Sequence, residues 1–123
     1  MALTQLGAHE RVNSVIRTGI SKDERRYQAL RDLGCIACHL DGYFGVPPDM
    51  HHLVDKGTRK LSGGNKATVP LCPWHHRGQP PMDFTVGYMH ATRGPSMHWH
   101  GKEFTERYGT QRDLLAKVNE AIK

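Results

Sequence analysis

No stretch of this chain approaches the ~20 consecutive apolar residues that a membrane-spanning helix requires. Its first residues also lack the apolar core of a secretory leader. A soluble, cytoplasmic protein with no membrane partner is therefore expected. Cysteine is scarce: three residues cannot pair completely, which excludes a disulfide framework and leaves metal binding or redox chemistry for Cys35-x-x-Cys38. Aromatic residues make up only 7% and apolar residues 37% of 123 residues, a modest supply for a core, and small folds with thin cores are usually stapled. Internal repeats and low-complexity tracts are absent. Acidic residues are missing from the whole run 56–77. The length suits one domain, expected as a monomer.

What the chain does have is positive charge and histidine. Lys and Arg number 17 against 12 Asp and Glu, a formal net charge of +5, and there are nine histidines. Such a balance suits a polyanionic partner, with nucleic acid first among them. Residues 1–20 show no clear periodicity, carry Arg11 and Arg17, and read as a flexible basic arm ahead of a domain over 21–123. Ser21 and Glu24 have capping-box spacing and Gly34 suits a stop, so a helix is predicted over 22–33. Asp41 to Asp49 reads as irregular chain, Met50 to Val54 as a short strand, and Thr68 to Leu71 as a second strand. Pro73 then opens a helix of a turn or two, residues 82–101 lack regular pattern, and a last helical stretch from Lys102 is split by Gly109, with Thr110 and Asp113 capping its second part. The class is a small α+β domain with flanking helices and much irregular chain.

Cys35-x-x-Cys38 and Cys72-x-x-His75 repeat one two-residue spacer, in which a tight turn lets two side chains bind one tetrahedral ion. Together they offer a closed Cys3His set for structural Zn2+, with no position open to substrate. A thioredoxin-like redox pair would instead sit in a βαβ pattern, which this chain lacks. If His75 completes that site, His76 is free for a second metal with His51 as its partner, because adjacent helical side chains diverge by about 100°. His52 then has no metal to bind and can accept a proton from water. Lys56, Arg59, Lys60, Lys66 and Arg77 join the two histidine pairs along one basic segment suited to contact with a nucleic-acid backbone, with Arg77, next to His76, placed to touch a phosphate. Trp74 and Trp99 read as packing residues more than as base-stacking ones.

These residues carry a resemblance. Cys35, Cys38, His51, His52, Leu71, Cys72, His75 and His76 resemble the HNH nuclease pattern, the ββα-metal or His-Me finger type. More narrowly, Gly34 to Cys38, Val69 to Gly78, Gly94 to Ser96 and Phe104 to Thr110 resemble the phage recombination enhancement function (Ref) nucleases, over roughly residues 21–123. The resemblance implies a zinc-stabilised HNH DNA endonuclease in a bacterial or phage-infected cell, acting with a RecA filament. It also implies His51 as metal ligand, His52 as general base, and Mg2+ or Mn2+ as the catalytic ion. By that pattern the usual asparagine falls near Ala67, with Asn65 out of register, and a third metal ligand falls at Pro80, leaving His90, His98, His100 or water. Two alternatives stand beside it: a zinc-stabilised DNA-binding module without catalysis, and an HNH endonuclease independent of RecA.

Overall fold

The computed structural model describes residues 20–123; the arm expected over residues 1–20 lies, but for its last residue, outside them. Helix α1 (Lys22–Leu33) begins where the Ser21 hydroxyl accepts from Glu24 N–H at 3.1 Å, and it stops at Gly34. Glycine is required there twice over. Its φ of +80° is unfavourable for other residues, and an added Cβ would lie 2.8 Å from the backbone of Val46. That close approach, with Cys35 N–H donating to the Val46 carbonyl at 2.9 Å, sets the position from which the first cysteine pair departs. A short helix, α2 (Ile36–Leu40), follows at once, capped by the Cys35 sulfur.

Strand β1 (Asp49–His52) pairs antiparallel with β2 (Thr68–Leu71), placing His51 opposite Val69 and His52 opposite Thr68. The segment between them ends in a 3-10 turn over Gly64–Lys66. Helix α3 (Pro73–Arg77) leaves β2 through Cys72, with proline in its first turn and Gly78 closing it in the left-handed region. Helices α4 (Val86–Arg93), α5 (Gly101–Tyr108) and α6 (Gln111–Ala121) complete the α+β fold. Thr110 and Asp113 form the capping box of α6.

The two strands have different surroundings. Every residue of β2 is buried, and the core gathers around it from Leu30, Ile36, Leu53, Trp74, Phe104, Tyr108, Leu114 and Val118. Strand β1 is only half-buried along its length. Because strand side chains alternate between faces, Asp49 and His51 look one way and His52 the other. The fold thus spends its apolar residues on β2 and uses β1 to present polar groups.

The structure corrects the expected elements in three places. Strand β1 begins one residue earlier than Met50 and ends at His52, although Leu53 N–H still reaches the Ala67 carbonyl at 2.9 Å. Residues 36–40 are helical, because the Cys-x-x-Cys turn is itself a helix start. Residues 82–101 are not irregular throughout: α4 is capped by the Thr85 hydroxyl on Tyr88 N–H and stopped by Gly94, signals masked by a helix that buries only Met89.

Candidate metal centre and active site

Four side chains from α2 and α3 and the residues that cap them meet in the core. Cys35, Cys38, Cys72 and His75 are all buried, and their donor atoms lie within 4.8 Å of one another. His75 Nδ1 stands 3.5, 3.4 and 3.3 Å from the sulfurs of Cys35, Cys38 and Cys72. The Cys38 and Cys72 sulfurs are 3.8 Å apart. A tetrahedral zinc with Zn–S about 2.3 Å and Zn–N about 2.0–2.1 Å holds its donors about 3.5–3.8 Å apart. The donor set and the spacing both fit zinc, and all three cysteines are free thiols. Each two-residue spacer closes the same way: Cys38 N–H donates to the Cys35 sulfur at 3.4 Å and His75 N–H to the Cys72 sulfur at 3.5 Å.

The surrounding shell completes the case for a structural metal. His75 Nε2 donates to the Arg93 carbonyl at 2.9 Å, which fixes the ring tautomer and leaves Nδ1 to face the sulfurs. Hydrogen bonds from Cys35 and Cys38, then His75, hold the Cys72 thiol far down, while hydrogen bonds with Cys35 and Cys72, then burial, push Cys38 far up. Burial opposes a charged His75, yet the Cys35 and Cys72 sulfurs outweigh it and raise the ring to about 10. The cluster draws positive charge inward, which is what a site for a cation does.

A second site lies on β1. His51 Nδ1 and His76 Nε2 face each other at 3.2 Å, their rings inclined by 62°. Gln111, the first residue of α6, accepts from His51 Nε2 at 3.1 Å. That bond leaves the His51 Nδ1 lone pair pointing at His76. Burial, the largest influence, lowers the His51 pKa, so the ring is neutral and able to act as a ligand. Asp49 Oδ2 is 3.5 Å from His76 Nδ1, near enough for an ion pair although too long for a good hydrogen bond, and that buried nitrogen has no other partner. Two imidazole nitrogens at this separation suit adjacent positions on one divalent ion, since ligand bonds of about 2.1 Å at right angles span about 3.0 Å.

His52 occupies the other face of the strand. Its Nε2 lies 3.0 Å from Asn65 Oδ1 and 3.4 Å from the Tyr27 hydroxyl, and its Nδ1 lies 3.0 Å from Arg59 Nη2. Asn65, out of register in the sequence, is brought to His52 by the 3-10 turn, whereas Ala67 is buried.

The other expected residues are placed as follows. Lys56, Arg59, Lys60 and Lys66 are exposed on the segment between the strands. Arg77 donates to Asp49 at 2.8 Å. His90 is held by Glu103 at 2.9 Å and stacks on His100, which accepts from Ser96 N–H, while His98 lies edge-on to Trp99. None of these bonds leads to His51 or His76. Trp74 is buried, donating to the Gly94 carbonyl, and Trp99 lies against Gly78 and donates to its carbonyl at 2.9 Å.

Sequence reasoning missed Asp49, Gln111 and Asp23, which accepts from Asn65 Nδ2 at 2.9 Å. Asp49 had a signal, since it shares a strand face with His51 two residues on. Gln111 had none, being 60 residues from its partner.

A zinc-type knot beside a pair of converging histidines, on a hairpin followed by a short helix, is a scaffold for chemistry on a charged polymer, and comparison with known families agrees. Residues 19–123 match the family model described as recombination enhancement, RecA-dependent nuclease, and the chain belongs to that family.

Proposed function

We propose that this nuclease is a metal-dependent DNA endonuclease of the HNH, ββα-metal type, acting where a RecA filament presents DNA. The observation that carries the reading is the 3.2 Å approach of His51 Nδ1 and His76 Nε2 beside a third histidine that shares neither metal set. A zinc-stabilised binding module without catalysis needs no such pair.

In this reading Cys35, Cys38, Cys72 and His75 hold Zn2+, and His51 and His76 hold Mg2+ or Mn2+. A divalent ion, when bound at His51 and His76, stabilises the charge that grows on the phosphate and on the leaving 3′-oxygen. The chain's own residues supply the rest. His52 accepts a proton from water through Nδ1 as the water oxygen bonds to phosphorus. The bond from phosphorus to the 3′-oxygen breaks, leaving a 5′-phosphate and a 3′-hydroxyl once the leaving oxygen is protonated from solvent. Asn65 orients the His52 ring, and Gln111 and Asp49 orient the two ligand rings. Lys56, Lys60 and Lys66 face solvent beside them and contact the DNA backbone.

The test is cleavage of plasmid and of single-stranded DNA with Mg2+ or Mn2+, with and without RecA and ATP. His52→Ala is expected to lower the rate by about 10²–10⁴-fold with circular dichroism and zinc content unchanged. A folded His52→Ala protein that cuts at the wild-type rate removes the base assignment. Equal rates with RecA, without it, and with RecA but no nucleotide favour an HNH endonuclease independent of RecA.

A further inference from the structure

The polar groups around His52 form one chain of hydrogen bonds, and each link decides the next. Arg59 Nη2 lies 3.0 Å from His52 Nδ1. A guanidinium can only donate, so Nδ1 must hold the lone pair and Nε2 the hydrogen. That hydrogen points at Asn65 Oδ1, 3.0 Å away. The Asn65 amide could be turned either way on its own account, but Nδ2 donates to Asp23 Oδ2 at 2.9 Å, and a carboxylate can only accept, so the amide must present its NH2 there. Carboxylate, amide, imidazole and guanidinium are therefore consistent in one arrangement only. Reversing the amide would set its NH2 against the His52 N–H and its oxygen against Asp23.

We infer that Arg59 covers the basic nitrogen of His52 until a phosphate group draws its guanidinium away, while Asp23, acting through Asn65, keeps that nitrogen bare once the guanidinium has left. The inference rests on His52 as the base. With Arg59 in place, the lone pair that would take a proton from water is already occupied. Arg59 is exposed on the basic segment. A phosphate offers it charge and two oxygens in fork geometry, where a neutral imidazole offers one nitrogen. Arrival of the DNA backbone would thus uncover the base and place a cation at the phosphate in one motion. Asp23 never touches substrate and is a positioning residue. Its other role is that of a carboxylate in the first turn of α1, favourable to the helix dipole. The two roles separate cleanly: a dipole needs the negative charge, whereas the relay needs only an oxygen that accepts, which Asp23→Asn still supplies.

The experiment observes the His52 ring by 15N NMR in the full chain, in wild type, Asp23→Ala, Asp23→Asn and Arg59→Ala, with inorganic phosphate as the probe. Wild type should show a hydrogen on Nε2 and a bare Nδ1 with and without phosphate, and Asp23→Ala a mixture of tautomers once phosphate is added, which Asp23→Asn reverses. Phosphate should move the Nδ1 resonance in wild type and leave it unmoved in Arg59→Ala. In cleavage, Asp23→Ala should lower kcat by about 10-fold with KM little changed, as loss of an outer-shell partner does. Arg59→Ala should lower kcat as well as raise KM, where a residue that only grips backbone would raise KM alone. An unaltered tautomer in phosphate-treated Asp23→Ala, or a wild-type Nδ1 indifferent to phosphate, overturns the proposal. If the NMR results hold and wild type cuts no DNA with any divalent ion, the endonuclease reading falls and the relay stands.

Discussion

At the scale of single residues, the same side chain does different work according to which of its nitrogens is spoken for. His75 gives Nε2 to a backbone carbonyl and so turns Nδ1 to the sulfurs, while His51 gives Nε2 to Gln111 and so turns Nδ1 to His76. The backbone carbonyl cannot be mutated away; the glutamine can. Gln111→Ala is expected to weaken catalytic Mn2+ binding about 10–100-fold, the usual effect of losing such a partner, and to leave one zinc per chain in place. Calorimetric titration of Mn2+ into zinc-loaded protein checks this, and equal affinity in mutant and wild type would remove Gln111 from the site. The histidines were legible in the sequence because His51-His52 and His75-His76 are adjacent pairs, and adjacency on a strand or short helix already divides their directions. Gln111 and Asp23 were not legible, since nothing local marks a surface glutamine at a helix start or a first-turn aspartate as partners of residues 60 and 42 positions away.

At the scale of elements, the fold was readable where caps and burial agree. Helix α1 lies between Ser21 and Gly34 as its capping residues require, and Thr68 to Leu71 forms a strand buried along its whole length. Helix α4 escaped notice because it lies on the surface with little apolar periodicity, even though Thr85 and Gly94 bracket it. The basic segment between the strands was expected as loop, but its anchorage came only from the structure. Arg112 of α6 holds Asp55 through two bonds of 2.7 and 3.0 Å and the Ser62 carbonyl at 2.7 Å, while the buried Ser62 hydroxyl accepts from Lys56 N–H at 3.0 Å. One arginine thus ties the start and the middle of the basic segment to the helix that also supplies Gln111. Arg112→Ala is expected to release the segment: hydrogen exchange at Lys56 N–H should quicken while amides of β2 stay protected, and DNA cleavage should fall with the metal sites intact. Unchanged exchange at Lys56 would show the segment held by other means.

At the scale of the whole molecule, the core is thin and the metal knot sits inside it. The hairpin is only two strands of four residues, too small to stand alone, and α2 and α3 are five residues each. Cys35, Cys38, Cys72 and His75 gather these short pieces across the sequence, joining the end of α1 to the end of β2, so an ion held there would substitute for apolar area the chain does not have. Removing it should therefore unfold the domain and not just loosen one corner, and Cys38→Ser should do the same. The proton balance gives the sign of the pH dependence. In a fold kept without metal, burial would oppose a charged His75, but hydrogen bonds with Cys35 and Cys72 outweigh it and hold the ring up at about 10, above its ordinary 6.5. That contribution to metal-free stability is fully present below about 6.5 and is lost as pH rises through about 10. In the chain that zinc removal unfolds, the cysteines are ordinary thiols, protonated at neutral pH, and zinc must displace their protons on binding. Zinc affinity should consequently rise with pH through the neutral range, and titrations in buffers of differing ionisation enthalpy should show net proton release on binding. A chelated chain that keeps its circular dichroism and cooperative melting, or zinc uptake without proton release, would show that the Cys3His cluster is not what holds the short elements together.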